Sequence, residues 1–356
     1  ARMARFIRQD LDDALYGRRE LVRLLCMRST LHVVPGHKMP YFFQAYAKAH
    51  ARAAYGRAES LLVEAGLCET AGASHLLEEP HARVLEVLDD KVASTVEELG
   101  QAVPELRVKI RHDVGKPYEG EFSLGSRLVP GMCNLGLLVR ARPRGTWRSS
   151  LYDYASLSGW LPDLDLKTAS PSEARSWLVR RYLGAFGPAA FADIQWWTGF
   201  SKGETDRVLR TLGSDLVEVS IAGLGPRYYM LADDARCLGQ FPVPDTPHAI
   251  LLPGLDPYIM GYHLRNRFLA PEYHKQVFDR AGNAMPTVWL NGCVVGAWGQ
   301  RKDGAVVYDF FRPAKEGAEA LIAEQALRLQ RFLGGEVLCQ RSYTPFVRAL
   351  GNPTAN

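Results

Sequence analysis

The stretch PSEARSWLVRRYLGAFGPAAFADIQWWTGFSKGETDRVLRTLGSDLVEVSIAGLGPRYYML, residues 171–231, decides the fold. Ala174, Trp177, Leu178, Tyr182 and Ala185 recur at helical spacing, and Gly187-Pro188 stops the helix they define. A short second helix runs from Phe191 to Trp197 and ends at Gly199. Ser201-Lys202-Gly203-Glu204 reads as a capping box: the serine oxygen accepts from the N3 amide, and Glu204 returns a bond to the Ser201 amide. The helix it opens turns Val208, Leu209 and Leu212 inward and Lys202, Arg207 and Arg210 outward, and closes at Gly213. Leu216 to Ile221 and Arg227 to Leu231 follow as a hairpin. Three helices and a hairpin are the winged-helix, helix-turn-helix order, which leaves the third helix available for a major groove. Winged helices also bind proteins, so the order alone leaves the partner open.

A looser copy precedes it. His81 to Leu88 reads as helix, and Thr95-Val96-Glu97-Glu98 as a second capping box. A less regular basic stretch, Arg107 to Arg127, leads through Leu128-Val129-Pro130 to a wing: strand Leu137 to Arg142, turn Pro143-Arg144-Gly145, strand Thr146 to Tyr152. The wing holds Arg140, Arg142, Arg144 and Arg148, with Arg140 and Arg142 on one face of the strand. Such a basic finger suits phosphate contact or minor-groove entry, and equally a solvated hairpin tip. A third, partial copy opens the chain: Asp10 to Leu15 ends a helical unit, and Glu20 to Met27 with Thr30 to Val34 form its wing strands.

The last third differs. Ala249 to Leu252, Thr287 to Leu290, Cys293 to Trp298 and Ala305 to Phe311 read as strands, with Asn291-Gly292 a hairpin turn. A helix from about Lys315 to Phe332 follows. The expected fold class is α+β: three tandem winged-helix modules, the first incomplete, plus a C-terminal β-rich α+β domain. The expected boundaries are 1–66 (partial first module and a helical connector from Lys38), 67–165, 166–235 and 236–356.

Composition fits this. The 356 residues are 47% hydrophobic and 23% charged, with a net charge of +4, a balance that permits a polyanion without demanding one. No stretch approaches a membrane span, the first residues lack a secretory signal, and a cytoplasmic protein is expected. The six cysteines, Cys26, Cys68, Cys133, Cys237, Cys293 and Cys339, have no zinc-ligand spacing and read as buried reduced thiols.

Four phrases are more specific than any periodicity: Met27 to Pro35 (MRSTLHVVP), Leu183 to Ala190 (LGAFGPAA) with Asp193 and Trp197, Leu252 to Tyr262 (LPGLDPYIMGY), and Gly296-Ala297-Trp298. Together and in order, they make the chain resemble the bacterial winged-helix family of AlkZ-type DNA glycosylases, which unhook interstrand crosslinks and remove bulky N7-alkylguanines. The resemblance implies a concave basic surface for double-stranded DNA and N-glycosidic hydrolysis with no metal or organic cofactor. It implies a Gln-apolar-Gln or Gln-apolar-Asp motif on a helix of the first module. That motif would precede Ala1-Arg2-Met3, and Gln9-Asp10-Leu11-Asp12 lacks its spacing. Either the sequence starts after the motif, or this is a DNA-binding paralogue without it. No catalytic residue is assigned.

The DNA-contact candidates are Arg28, Arg140, Arg142, Arg144, Arg148, Lys202, Arg207 and Arg210. Each has a plainer alternative as a surface or ion-paired residue. His32 reads rather as a packed strand residue, Trp196 and Trp197 as helix-turn-helix core, and Asp256 as a turn former. His263, Arg265, Arg267 and His274 form a loosely basic loop, either a further DNA contact or surface. The expectation is a monofunctional glycosylase acting as a monomer on duplex DNA. The rival readings are a DNA-binding regulator or inactive relative, and a protein-interaction scaffold.

Overall fold

The computed structural model describes residues 6–47, 73–112, 119–145, 149–225, 227–242, 245–314, 317–338 and 343–351, with isolated positions at 56, 59, 60, 62, 63, 69 and 115. The chain folds as two compact units, Phe6–Val179 and the residues from Arg180 onward. The division falls within one long helix.

In the first unit, helix α1 (Arg8–Asp12) runs into a π-helical turn, Asp13–Gly17, ahead of strands β1 (Leu21–Cys26) and β2 (Thr30–Pro35). The strands pair antiparallel from Leu21↔Pro35 to Cys26↔Thr30, as the sequence suggests. Val22, Leu24 and Cys26 are buried at alternate positions, the period of a half-buried strand. The expected helical connector begins with Met39–Phe42 and a π-helical turn over Phe43–Ala47; most of its remainder lies outside the described residues.

Helix α2 (Ala73–Asp89) buries Leu77, Val84 and Leu88, spaced for one helical face. Helix α3 (Val96–Ala102) carries the predicted capping box: Glu98 N donates to Thr95 Oγ1 at 3.1 Å, and Thr95 N donates to Glu98 Oε2 at 2.8 Å. Two expectations fail here. Arg107 to Arg127 is not irregular, because Lys109–His112 (β3) and Gly120–Ser123 (β4) pair as a hairpin. Leu128-Val129-Pro130 sits inside helix α4 (Gly125–Asn134). Gly125, Pro130 and Gly131 lower the helix propensity of this segment. Packing of Leu128, Val129, Met132 and Cys133, each at most 2% exposed, overrides it.

The wing departs from its expected form. Strand β5 (Leu138–Pro143) pairs with β6 (Tyr152–Ser156), and the register shifts between Arg140 and Pro143. The closing strand was expected over Thr146 to Tyr152, yet of its described residues only Tyr152 stands in a strand. The connection is tied at its base, where Arg144 N donates to Leu151 O at 2.7 Å. Arg148 lies outside the described residues.

Helix α5 (Pro171–Phe186) carries the chain into the second unit. After a short strand that the sequence reading does not include, β7 (Ala189–Ala190), helix α6 (Phe191–Thr198), helix α7 (Lys202–Leu212) and strands β8 (Leu216–Val219) and β9 (Tyr228–Leu231) follow in the predicted order. The three strands form one sheet in the order β7-β9-β8. The second box holds, with Glu204 N to Ser201 Oγ at 3.2 Å and Ser201 N to Glu204 Oε2 at 3.0 Å.

Strands β10 (Ala249–Leu252), β11 (Thr287–Leu290), β12 (Cys293–Gln300) and β13 (Val306–Phe310) make an antiparallel meander. Asn291 and Gly292 both take positive φ, the two-residue turn their identities predict. Leu251, Val288 and Trp298 pack with Ile322 and Ala326 of helix α8 (Ala318–Leu333). Leu252, Trp289 and Val294 join Ile259, Tyr262 and Phe268 in a separate cluster. Among the described cysteines, Cys26 and Cys133 are buried as expected; Cys237 is half-buried and Cys293 exposed.

Candidate nucleic-acid interface

Arg28 and His32 share the β1–β2 hairpin. Arg28 and Ser29, at its three-residue tip, both hold left-handed backbone, φ 57° and 56°. The tip is held by Ser29 N donating to the Tyr46 hydroxyl at 3.2 Å and Thr30 Oγ1 donating to Met27 O at 2.9 Å. Consecutive left-handed non-glycine residues are strained, and such strain gathers at functional sites. Thr30 Oγ1 also lies 2.7 Å from His32 Nε2. Burial first, and then the Arg28 charge, lowers the His32 pKa, so its imidazole is neutral at pH 7. Burial also lowers that of Arg28.

The described wing arginines have varied surroundings within the protein. Arg140 is half-buried, and its Nη1 is buried with no hydrogen-bond partner among the described residues. Arg142 Nη1 lies 3.4 Å from Asp12 Oδ2, and its Cζ stands 4.5 Å from the centroid of the Tyr16 ring. Arg144 Nη2 bonds both Glu98 oxygens at 3.0 and 3.1 Å, while its Nε reaches Asp153 Oδ1 at 2.8 Å. Arg144 is thus a fork joining the wing to the start of α3.

Helix α7 is different. Lys202, Arg207 and Arg210 are all exposed, and among the described residues their side chains make no ion pair. At 100° per residue they span an arc opposite that of buried Thr205 and Val208.

Trp197 packs on Tyr182, centroids 4.8 Å apart, as core. Trp196 sits 6.1 Å from the His263 ring, with Arg265 Cζ 5.3 Å from its own. Asp256 is buried and accepts from Tyr258 N at 2.9 Å, closing a turn. Arg267 donates to Pro188 O at 2.7 Å and stacks over Tyr262, so it is structural.

Sequence reasoning does not pick out two further groups. Asp193, fully buried, accepts from Ala190 N, His263 N and Leu264 N at 3.0, 2.8 and 2.7 Å. Its N3 position is the readable clue; its partners seventy residues on are not. Arg23, on the face of β1 opposite Val22 and Leu24, donates to the Tyr16 hydroxyl. Among the described residues, no three His, Cys, Asp or Glu side chains are grouped to hold a metal, and no helix is long and apolar enough to cross a membrane.

Comparison with known proteins gives a consistent result. The structure matches that of the DNA glycosylase AlkZ of Streptomyces sahachiroi with a TM-score of 0.68, over 95% of this chain and 85% of that one, at 22% identity. At that identity the likeness establishes the mixed α+β fold. An interstrand DNA cross-link repair glycosylase of the same organism is 32% identical over 141 residues, which span 37% of this chain but only 36% of that protein. The family model described as DNA glycosylase AlkZ-like matches residues 1–332, and the chain therefore belongs to the AlkZ-like DNA glycosylase family.

Proposed function

We propose that this protein is a monofunctional DNA glycosylase that hydrolyses the N-glycosidic bond of bulky or crosslinked N7-alkylguanine in duplex DNA. Family membership supports the chemistry. The observation in the structure that carries the DNA reading is the outward face of α7, where Lys202, Arg207 and Arg210 stand exposed opposite a buried face and make no ion pair among the described residues, although Asp206 shares that face. Cations without internal partners are the ones that gain most from releasing counterions off a phosphate backbone.

The chemistry asks little of the protein. N7 alkylation leaves the base positively charged, so it departs with the glycosidic electron pair as a neutral molecule. Water adds at C1′ and loses a proton, leaving an abasic site. Orienting that water and stabilising the developing sugar cation are the catalytic tasks, and neither requires a metal.

The same reading divides the chain into three winged-helix modules, the first incomplete, within 1–66, 67–165 and 166–235, ahead of a domain over 236–356. A repeated detail supports it. Ala189-Ala190, between the first and second helices of the third module, pairs with β9; Ser94, at the equivalent place in the second, bridges Tyr154 on β6. The β3–β4 hairpin is then an insertion before the third helix, α4. The protein works as a monomer, since one chain supplies several modules.

The test is a glycosylase assay on a duplex carrying an N7-alkylguanine. Released free base and an alkali-labile abasic site are expected. Tight, salt-dependent binding without base release overturns the enzymatic reading in favour of a non-catalytic DNA binder.

A further inference from the structure

Tyr16 meets two arginines from different strands. Arg142, on β5, holds its Cζ 4.5 Å from the ring centroid; Arg23, on β1, holds its own 5.3 Å away and donates to the phenolic oxygen. Arg23 is also 5.4 Å from the Tyr152 ring. Among the described residues one carboxylate serves the pair, Asp12, through a single contact of 3.4 Å to Arg142. The neighbouring Asp13 accepts instead from the Gln9 amide at 3.0 Å.

This arrangement is not that of an internal fork. Arg144, two residues along, makes three short bonds to two carboxylates. Arg142 makes one long bond and leaves 55% of its side chain exposed. A single contact at that exposure holds the guanidinium weakly. The tyrosyl ring meanwhile adds a cation–π contact, and the exposed remainder of the side chain leaves donors open to solvent. Arg23 carries a second positive charge to the same place with no carboxylate of its own among the described residues.

We infer that Arg142 and Arg23, both set against Tyr16, form a phosphate-binding site for the DNA backbone, in which Arg142 exchanges Asp12 for a phosphate oxygen when duplex binds. The inference rests on the proposed DNA function and assigns residues to it. Because β1 and β5 lie in the proposed first and second modules, one phosphate contact would set both in register on the duplex. Phosphate contacts carry no sequence information, so the site acts equally on every sequence.

The experiment is equilibrium binding of the full chain to two undamaged duplexes of unrelated sequence by fluorescence anisotropy, from 50 to 200 mM salt, with thermal melting of each variant. Arg142→Gln is expected to weaken both duplexes by about fivefold and to lower the slope of log K against log salt by about one. Arg23→Gln is expected to act in the same direction. Asp12→Asn, which removes the competing carboxylate, is expected to tighten both by about two- to threefold, a gain that misfolding does not produce. Unchanged affinity and slope in Arg142→Gln and Asp12→Asn, with a lowered melting temperature, would overturn the assignment and make the cluster purely structural. A wild-type chain that binds neither duplex at 50 mM salt sinks the DNA reading itself; wild-type binding matched by the variants sinks this assignment alone.

Discussion

Arg144 Nη2 donates to both carboxylate oxygens of Glu98, at 3.0 and 3.1 Å, and so fastens the wing loop to the residue capping α3. Glu98 is therefore shared: one oxygen also receives the Thr95 backbone N–H of the capping box. An arginine that looks from the sequence like part of a DNA-probing finger also ties down the finger's base. Arg144→Gln should lower the melting temperature, while changing duplex affinity by less than about twofold.

The shared carboxylate gives a pH signature. The Thr95 backbone N–H first, then its hydroxyl and Arg144, hold Glu98 below its ordinary value of 4.5. A depressed folded-state pKa contributes stability that is present above 4.5 and lost as pH falls through the lower folded value. Glu98→Gln should flatten the acid limb of the stability curve below pH 4.5 and leave the neutral limb parallel to wild type.

His81 should behave in the same sense higher on the scale. Burial pushes its pKa from 6.5 down to about 4, so the folded state refuses a proton that the unfolded chain accepts. Its contribution is complete above pH 6.5 and declines toward pH 4, and an NMR titration should show one imidazole with a midpoint near 4. A midpoint near 6.5 would mean that α2 does not bury it.

The double variant Arg207→Gln with Arg210→Gln should weaken duplex binding about tenfold or more at 100 mM salt and reduce the salt slope by about two. Its melting temperature should stay close to wild type, because both side chains are exposed and make no ion pair among the described residues. An unchanged slope would remove α7 from the interface.

Asp193→Asn should cost about 2–3 kcal/mol, because the amide must turn a donor toward one of three N–H groups that now share a carboxylate. Urea unfolding measures it; a loss below about 0.5 kcal/mol would show that the loop at His263 relaxes to follow.

What is legible in the sequence is local. The Ser201–Glu204 and Thr95–Glu98 boxes, the Asn291-Gly292 turn and the β1–β2 hairpin each rest on residues a few positions apart. Helix α4 is hidden because Gly125, Pro130 and Gly131 argue against a helix that only the surrounding core imposes. The wing's closing strand is easily set too early, since the residues up to Leu151 alternate well enough to pass for a strand. The interface is the least readable part. Whether an arginine is free depends on carboxylates elsewhere in the chain, and Asp12 is 130 positions from Arg142. The phrases that carry the family likeness hold no such information, but they include Asp193 and Tyr262, both placed at a junction that the folded chain depends on.

That junction has a consequence for how the protein comes apart. Tyr182 donates to Gly261 O at 2.8 Å, Tyr262 donates back to Phe186 O at 2.7 Å, and a side chain on Gly261 would collide with the Phe186 ring. With Asp193 holding His263 and Leu264, the segment around residues 261–264 is stitched from two sides to elements some seventy residues earlier. The link between them passes through Phe241, which is 71% exposed. A protease that cuts there should sever the chain without separating the pieces, which are expected to elute together until denaturant parts them. The four-stranded region is for the same reason not an interchangeable cassette, and a relative that replaced it would have to replace its anchors on α5 and α6 as well.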